Sequence, residues 1–357
     1  MSAREPSKKL LSHAVFYAEA AQAATRALLR HLREGRPHPE WTLGYDVAMS
    51  VLRSAAYGHP AFSLAMARSS AAPLPLATRG KVQLSASTLA GLPVEIHTPL
   101  RSAWERALRR RAGKPAQEST FLYLHGGGYV TCSPRSHRDV IARIAMESGA
   151  RCVVPDYRLA PAHPFPAALD DALACYRQLL EQGVDPERLV VGGDSAGGGL
   201  TLALTLRLRE LRLPLPRALV LLSPWVDLSL GRDALLPYAD HDYLAVDATV
   251  TNALSYAGEA ALSHPLISPL HADLRGLPPM LIQTGEWELL REQNIAFARA
   301  AQAAGASVEH TLHPGMLHAF TCFPGLTEQG ARALADVGRF VRAQLEASRP
   351  ELRAKAS

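Results

Sequence analysis

Cysteine is scarce in this chain. Its 357 residues include four, Cys132, Cys152, Cys175 and Cys322, far apart and without paired spacing. That excludes a dense disulfide framework and a zinc ribbon, both of which need closely spaced ligands or partners. The thiols are expected to be reduced and buried, as in a cytoplasmic protein. Long apolar runs are missing too. Behind Lys8 and Lys9 the N-terminal pattern is broken by Ser12, His13, Glu19 and Gln22, so no signal peptide is read there. No stretch is long and apolar enough to span a bilayer, which argues against stable membrane insertion. Aromatics make up 6% of the residues and are not interleaved with a lysine or arginine stripe. The net charge of +5 comes largely from scattered arginines such as Arg109, Arg110 and Arg111, so nucleic acid is not an expected partner. Internal repeats and low-complexity tracts are also absent.

What is present is a 48% hydrophobic chain, enough for a large core. Its length suits one α/β domain with an attached cap better than two unrelated domains. From Lys9 to Arg33, apolar residues such as Leu11, Val15, Ala18, Leu28 and Leu32 fall near one helical face. A second helix is expected over Leu43–Ala56, with Thr42 placed to cap it. With a proline-bearing linker at Ser69–Gly80, these form an N-terminal helical cap region, residues 1–80. Two alternating runs, Val82–Ser85 and Val94–His97, read as antiparallel strands around Ala90-Gly91. After a charged surface stretch, Arg101–Gln117, strands and helices alternate. Strands are expected at Phe121–Leu124, Arg151–Pro155, Arg188–Gly192, Ala218–Leu222, Met280–Gln283 and Val308–Leu312. Helices fall between and after them, the last at Glu328–Ala347. The pattern predicts a mostly parallel sheet covered by helices on both faces, in a domain over residues 81–350. One interruption, at about 227–274, reads as a second cap segment.

The chemistry centres on Val191–Gly199, Val-Gly-Gly-Asp-Ser-Ala-Gly-Gly-Gly. A buried strand passes through Gly193-Asp194-Ser195-Ala196-Gly197 into a helix, which fits the G-x-S-x-G nucleophile elbow. A serine at the apex of so sharp a turn is strained, and side chains two positions away would collide with neighbouring strands. A glycine-rich strand–helix turn can also cradle a phosphate. A second strand ends in His125-Gly126-Gly127-Gly128-Tyr129, whose backbone N–H groups can converge on one point, as acyl transfer requires for its oxyanion. Gly127 and Gly128 are the expected donors, with the N–H of Ala196 as a third and Gly126 as the alternative. His125 is expected to anchor this loop. In hydrolases with this elbow the acid and then the histidine follow the serine in the chain. His318, after the last strand, is the expected base, while His310 and His313 are expected to pack or face solvent. In the loop after Met280–Gln283, Glu288 is the expected acid, with Glu286 and Glu292 as competitors. Tyr129 and Asp194, flanking the two loops, are the expected substrate-binding side chains.

Together the motifs resemble the hormone-sensitive-lipase-like esterases, bacterial family IV, of the α/β-hydrolase fold. The residues that carry the likeness are His125–Tyr129, Gly193–Gly197, Asp156–Ala168, Ser223–Asp227 and Pro314–Phe320. The resemblance implies a carboxylic ester hydrolase of short- to medium-chain acyl esters. It assigns Ser195, Glu288 and His318 to a triad and Gly127, Gly128 and Ala196 to an oxyanion hole. The family more often has Asp where Glu288 stands. The resemblance also implies a structural turn and ion pair in Asp156–Pro166, and caps made by the N-terminal helices and the segment after Trp225. Trp41 resembles a feature of the steryl-acetyl-hydrolase-like members, hinting at a bulky alcohol. Amidase, deacetylase and lactonase activities use the same triad. Related plant hormone receptors lack the catalytic histidine, which this chain retains as His318. A small-molecule ester is the expected partner, a homodimer is left open, and neither a cofactor nor a metal is called for.

Overall fold

Short apolar runs buried on both sides form the centre of the molecule, because a parallel strand covered by helices above and below has no wet face. The structure, a computed structural model, describes residues 5–56, 78–100 and 119–347. Most of the expected linker and the charged stretch Arg101–Gln117 lie outside the described residues. Eight strands are described: β1 (Val82–Leu89), β2 (Leu92–Pro99), β3 (Thr120–Leu124), β4 (Arg151–Pro155), β5 (Leu189–Asp194), β6 (Ala218–Leu222), β7 (Met280–Gly285) and β8 (Val308–His313). They form one sheet in the order β1-β2-β4-β3-β5-β6-β7-β8. Only β1–β2 and β2–β4 pair antiparallel; all other neighbours are parallel. The β1–β2 hairpin runs longer than the two alternating runs predict. It closes on Ala90-Gly91, with φ of 51° and 78°, the two positive values a tight primed turn requires.

Helices α1 (Glu5–Glu34), α2 (Leu43–Ala56), α3 (Arg138–Ser148), α4 (Ala167–Glu181), α5 (Ala196–Glu210), α6 (Val246–Ala257), α7 (Arg291–Ala303) and α8 (Glu328–Ala347) complete the frame. The core divides into two layers. On one face, Leu169, Tyr176, Leu200 and Phe297 from α4, α5 and α7 pack on the sheet. On the other, Ile141 and Ile144 from α3 meet Leu334, Val337 and Val341 from α8. Helix α5 is buried nearly all round, which explains its lack of a polar face. It stops at Glu210, and Arg212 turns to a φ of 53° ahead of Pro214. Among the described residues no helix is long and apolar enough to cross a membrane.

The N-terminal helices are tied to each other and to the loop after β8. Arg30 and His31 on α1 bond the buried carboxylate of Asp46 on α2, fixing the helix pair. The Trp41 indole donates to Gly315 O at 2.7 Å, and Leu317 N donates to the Tyr45 hydroxyl at 3.3 Å. Trp41 is therefore a clamp on the loop that carries His318. The expected ion pair in the Asp156–Pro166 turn is Arg158 with Asp171, at 2.6 Å.

Candidate active site

Four loops at the carboxyl ends of β3, β5, β7 and β8 converge, the usual place for a site on an open parallel sheet. Ser195 stands between β5 and α5 with φ 51° and ψ −121°. A non-glycine residue in that region costs about 1–3 kcal/mol and persists only where its surroundings force it. Here Ser195 N donates to Leu222 O at 2.9 Å, and Ser195 O accepts from Trp225 N at 2.9 Å and Gly199 N at 3.1 Å. Close approach explains the flanking glycines: a β-carbon on Gly193 or Gly197 would lie 2.1 or 1.9 Å from Leu124 O. The Ser195 Oγ is 2.8 Å from His318 Nε2.

The glycine loop after β3 faces this serine. Gly127 has a φ of +115°, and a β-carbon there would meet Thr131 O at 2.3 Å, so only glycine fits. The N–H of Gly126 is spent on Asp194 Oδ1 at 3.0 Å, which removes it as an oxyanion donor. Gly127 and Gly128 border the same cavity as Ser195. Ala196 opens α5, where the first N–H groups have no partner within the helix. His125 anchors the loop: its Nδ1 is 2.7 Å from Gly126 O, and its ring stacks on Tyr157 at 4.3 Å.

Two expected substrate contacts need correction. The carboxylate of Asp194 is buried and accepts Tyr123 Oη at 2.7 Å, Gly126 N and, at 3.2 Å, His137 Nε2. Burial alone would raise its pKa, but His137 and Tyr123 hold it well below the usual carboxylate range. Asp194 lies in the cavity wall as the strut that shapes the glycine loop, its carboxylate engaged by Tyr123, Gly126 and His137. The Tyr129 ring turns into the core, stacked on Tyr256 at 3.6 Å with 6° between the planes. It is 1% exposed and does not line the cavity.

The acid loop also departs from expectation. Glu288 is fully buried and accepts from Ser223 Oγ at 2.6 Å, Gly285 N at 2.9 Å and Asn294 Nδ2 at 2.7 Å. It makes no hydrogen bond to His318, whose Nδ1 is buried without a partner. Burial raises Glu288 to about 8 against these three donors, and burial lowers His318 to about 4. The resting site thus holds a neutral imidazole, the form a base needs. Neither competitor reaches the histidine. Glu286 accepts Gly315 N at 2.9 Å, and Glu292 pairs with Arg291 at 3.4 Å in the first turn of α7. His313 bonds Gln283 and Gln329, and His310 lies 3.0 Å from Thr284 Oγ1.

Sequence reasoning missed Asp242. This fully buried residue of the second cap accepts His318 N at 3.2 Å and Tyr243 N at 2.8 Å on Oδ1, and Leu289 N at 2.8 Å on Oδ2. One carboxylate therefore joins the backbone of the histidine loop to that of the acid loop. No local motif marks it, because both loops lie far along the chain. In Asp242→Asn the amide nitrogen opposes the Leu289 N–H and leaves a buried donor unmet, at about 1–3 kcal/mol. Expressed in kcat, that is a loss of roughly 10- to 100-fold with KM little changed. Steady-state kinetics on the purified variant checks this, and a parental kcat would show that the tie does not matter.

The loops enclose a cavity of about 300 Å³ lined by Leu52, Trp225, Leu244, Leu290 and Phe323 with Ser195 and His318. Residues 121–322, more than half of the chain, match the model of a family described by its alpha/beta hydrolase fold. An acetyl-hydrolase of Streptomyces hygroscopicus is 40% identical over 240 residues, 64% of this chain and 78% of its own length. An ethyl acetate hydrolase of Pseudomonas putida is 35% identical over 226 residues, 61% of this chain and 71% of its own. Among solved structures, the hormone-sensitive-lipase homologue EstE7 from a metagenome library aligns with a TM-score of 0.74 at 34% identity, covering 85% of this chain and 99% of that one. With its elbow, glycine loop and histidine loop on a mostly parallel eight-stranded sheet, the chain belongs to the α/β-hydrolase-fold family, among the hormone-sensitive-lipase-like esterases.

Proposed function

We propose that the chain hydrolyses esters of short- to medium-chain acids through a Ser195–His318–Glu288 triad and an acyl-enzyme intermediate. The observation that carries this is the 2.8 Å approach of Ser195 Oγ to a neutral His318 Nε2 on a strained elbow facing the glycine loop. Ser195 Oγ attacks the acyl carbonyl carbon as His318 Nε2 takes its proton. The carbonyl oxygen gains the charge and is met by the N–H groups of Gly127, Gly128 and Ala196. Collapse breaks the ester bond, and the alcohol leaves with the proton held by His318. Water then gives a proton to His318 and attacks the acyl carbon, releasing the acid and restoring Ser195. The ionised form of Glu288 stabilises the imidazolium. Its Oε1 is held by a single side-chain amide, Asn294, while His318 Nδ1 faces no acceptor at rest.

A cavity of about 300 Å³ lies at the small end of ligand sites, which favours short acyl groups. A series of p-nitrophenyl esters from acetate to laurate tests this, alongside an anilide and a lactone. The largest kcat/KM is expected between acetate and hexanoate, falling by at least roughly tenfold at laurate, as one poorly fitted methylene costs about 1–3 kcal/mol. A maximum at laurate, or faster anilide cleavage than ester cleavage, would reject this substrate class.

A further inference from the structure

We propose that Asp194, His137 and Cys322 form an inhibitory site for a zinc-like divalent cation beside the nucleophile. The His137 nitrogen, the Asp194 carboxylate oxygen and the Cys322 sulfur all lie within 4.8 Å of one another, and all three residues line the Ser195 cavity. An imidazole, a carboxylate and a thiolate match the donor set that zinc prefers, and three protein ligands leave a fourth position for water from the cavity. Metal-ligating histidines commonly donate their other ring nitrogen to a carbonyl. His137 is so arranged: its Nδ1 is 3.3 Å from Ser133 O and 2.9 Å from Ser136 Oγ. A carbonyl only accepts, so Nδ1 donates there, and Nε2 faces Asp194 Oδ2 at 3.2 Å across the proton that the carboxylate accepts. Two electron-rich atoms sit that close only with a proton or a cation between them. Asp194 is itself fixed by Tyr123 and Gly126 on its other oxygen.

Binding replaces the Cys322 thiol proton and the proton shared by His137 and Asp194. Both pass to solvent, and no redox step is involved. The cation then draws on Asp194, the residue before Ser195, and changes the strut that shapes the glycine loop. Binding stands apart from the proposed ester chemistry; only the inhibition readout rests on it. The test titrates zinc ions into the purified, reduced full chain against a chromophoric chelator. One zinc per chain is expected, with affinity reduced at least roughly 100-fold in Cys322→Ser, since even outer-shell losses cost 10- to 100-fold. Cys132→Ser, altering a thiol of the same cavity outside the cluster, should bind as the parent does. His137→Asn provides a second ligand variant should Cys322→Ser fail to fold. In the esterase assay, zinc should inhibit the parent, EDTA should restore it, and Cys322→Ser should resist. No stoichiometric binding, or parental affinity in folded Cys322→Ser and His137→Asn, overturns the site. Binding that follows the prediction with no ester turnover in the parent would reject the esterase reading instead.

Discussion

Ser195→Ala is expected to lower kcat by roughly 10⁶-fold, the scale seen when the nucleophile of a serine hydrolase is removed. The fold should survive. The strained φ of 51° is imposed by backbone bonds to Leu222, Trp225 and Gly199, none of which uses the serine side chain. Alanine suffers the same backbone strain, and the Oγ has one hydrogen-bond partner to lose, His318. Circular dichroism and thermal unfolding near parental values should therefore accompany the loss of turnover on an aryl acetate. Turnover within tenfold of the parent would move the nucleophile elsewhere.

Glu288→Gln should lower kcat by about 10⁴-fold, as the equivalent amide substitution does in a serine protease. The same change at Glu286 or Glu292 should cost far less, because those carboxylates bond Gly315 N and Arg291. The site can hold the amide. Its oxygen can accept the Gly285 N–H, and Asn294 Oδ1, buried and without a partner, can accept the new N–H group once the Asn294 amide turns. Stability supplies an independent reading. Burial raises Glu288 from 4.5 to about 8 in the folded chain, so the folded state binds the proton more tightly than the unfolded state. Its stabilising contribution is complete below pH 4.5 and is lost as pH rises towards 8. The neutral amide escapes this loss, so the variant's melting temperature should gain on the parent's between pH 5 and 8. A melting-temperature difference that does not vary with pH would mean that Glu288 is ionised throughout. A kcat within tenfold of the parent would take Glu288 out of the triad.

How far the site could be read from sequence depended on how local its constraints are. The elbow and the glycine loop were legible because their glycines answer to close backbone contacts, such as Gly197 against Leu124 O. The order of acid and histidine loops was legible because strand–helix alternation places them at one sheet end. Side-chain directions were not. Tyr129 reads as a site residue beside the glycines, yet its φ of 64° and the Tyr256 ring from α6 turn it into the core. Asp194 sits next to Ser195, but its partners Tyr123 and His137 come from β3 and the turn before α3. Asp242 carries no signal at all, since its three acceptor contacts are to backbone N–H groups, and two of these lie on distant loops. Glu288 lies in the loop after β7, and its engagement with Ser223 and Asn294 in place of His318 depends on packing that no spacing encodes.

The central claim is a covalent acyl-enzyme on Ser195. Rapid acid quench of the parent with p-nitrophenyl acetate, followed by peptide mass spectrometry, measures it directly. An acetyl group on the peptide containing Ser195, formed with the burst of nitrophenol and absent in Ser195→Ala, is the predicted result. Acetyl on any other residue, or full turnover with no covalent species in the quench, would contradict it.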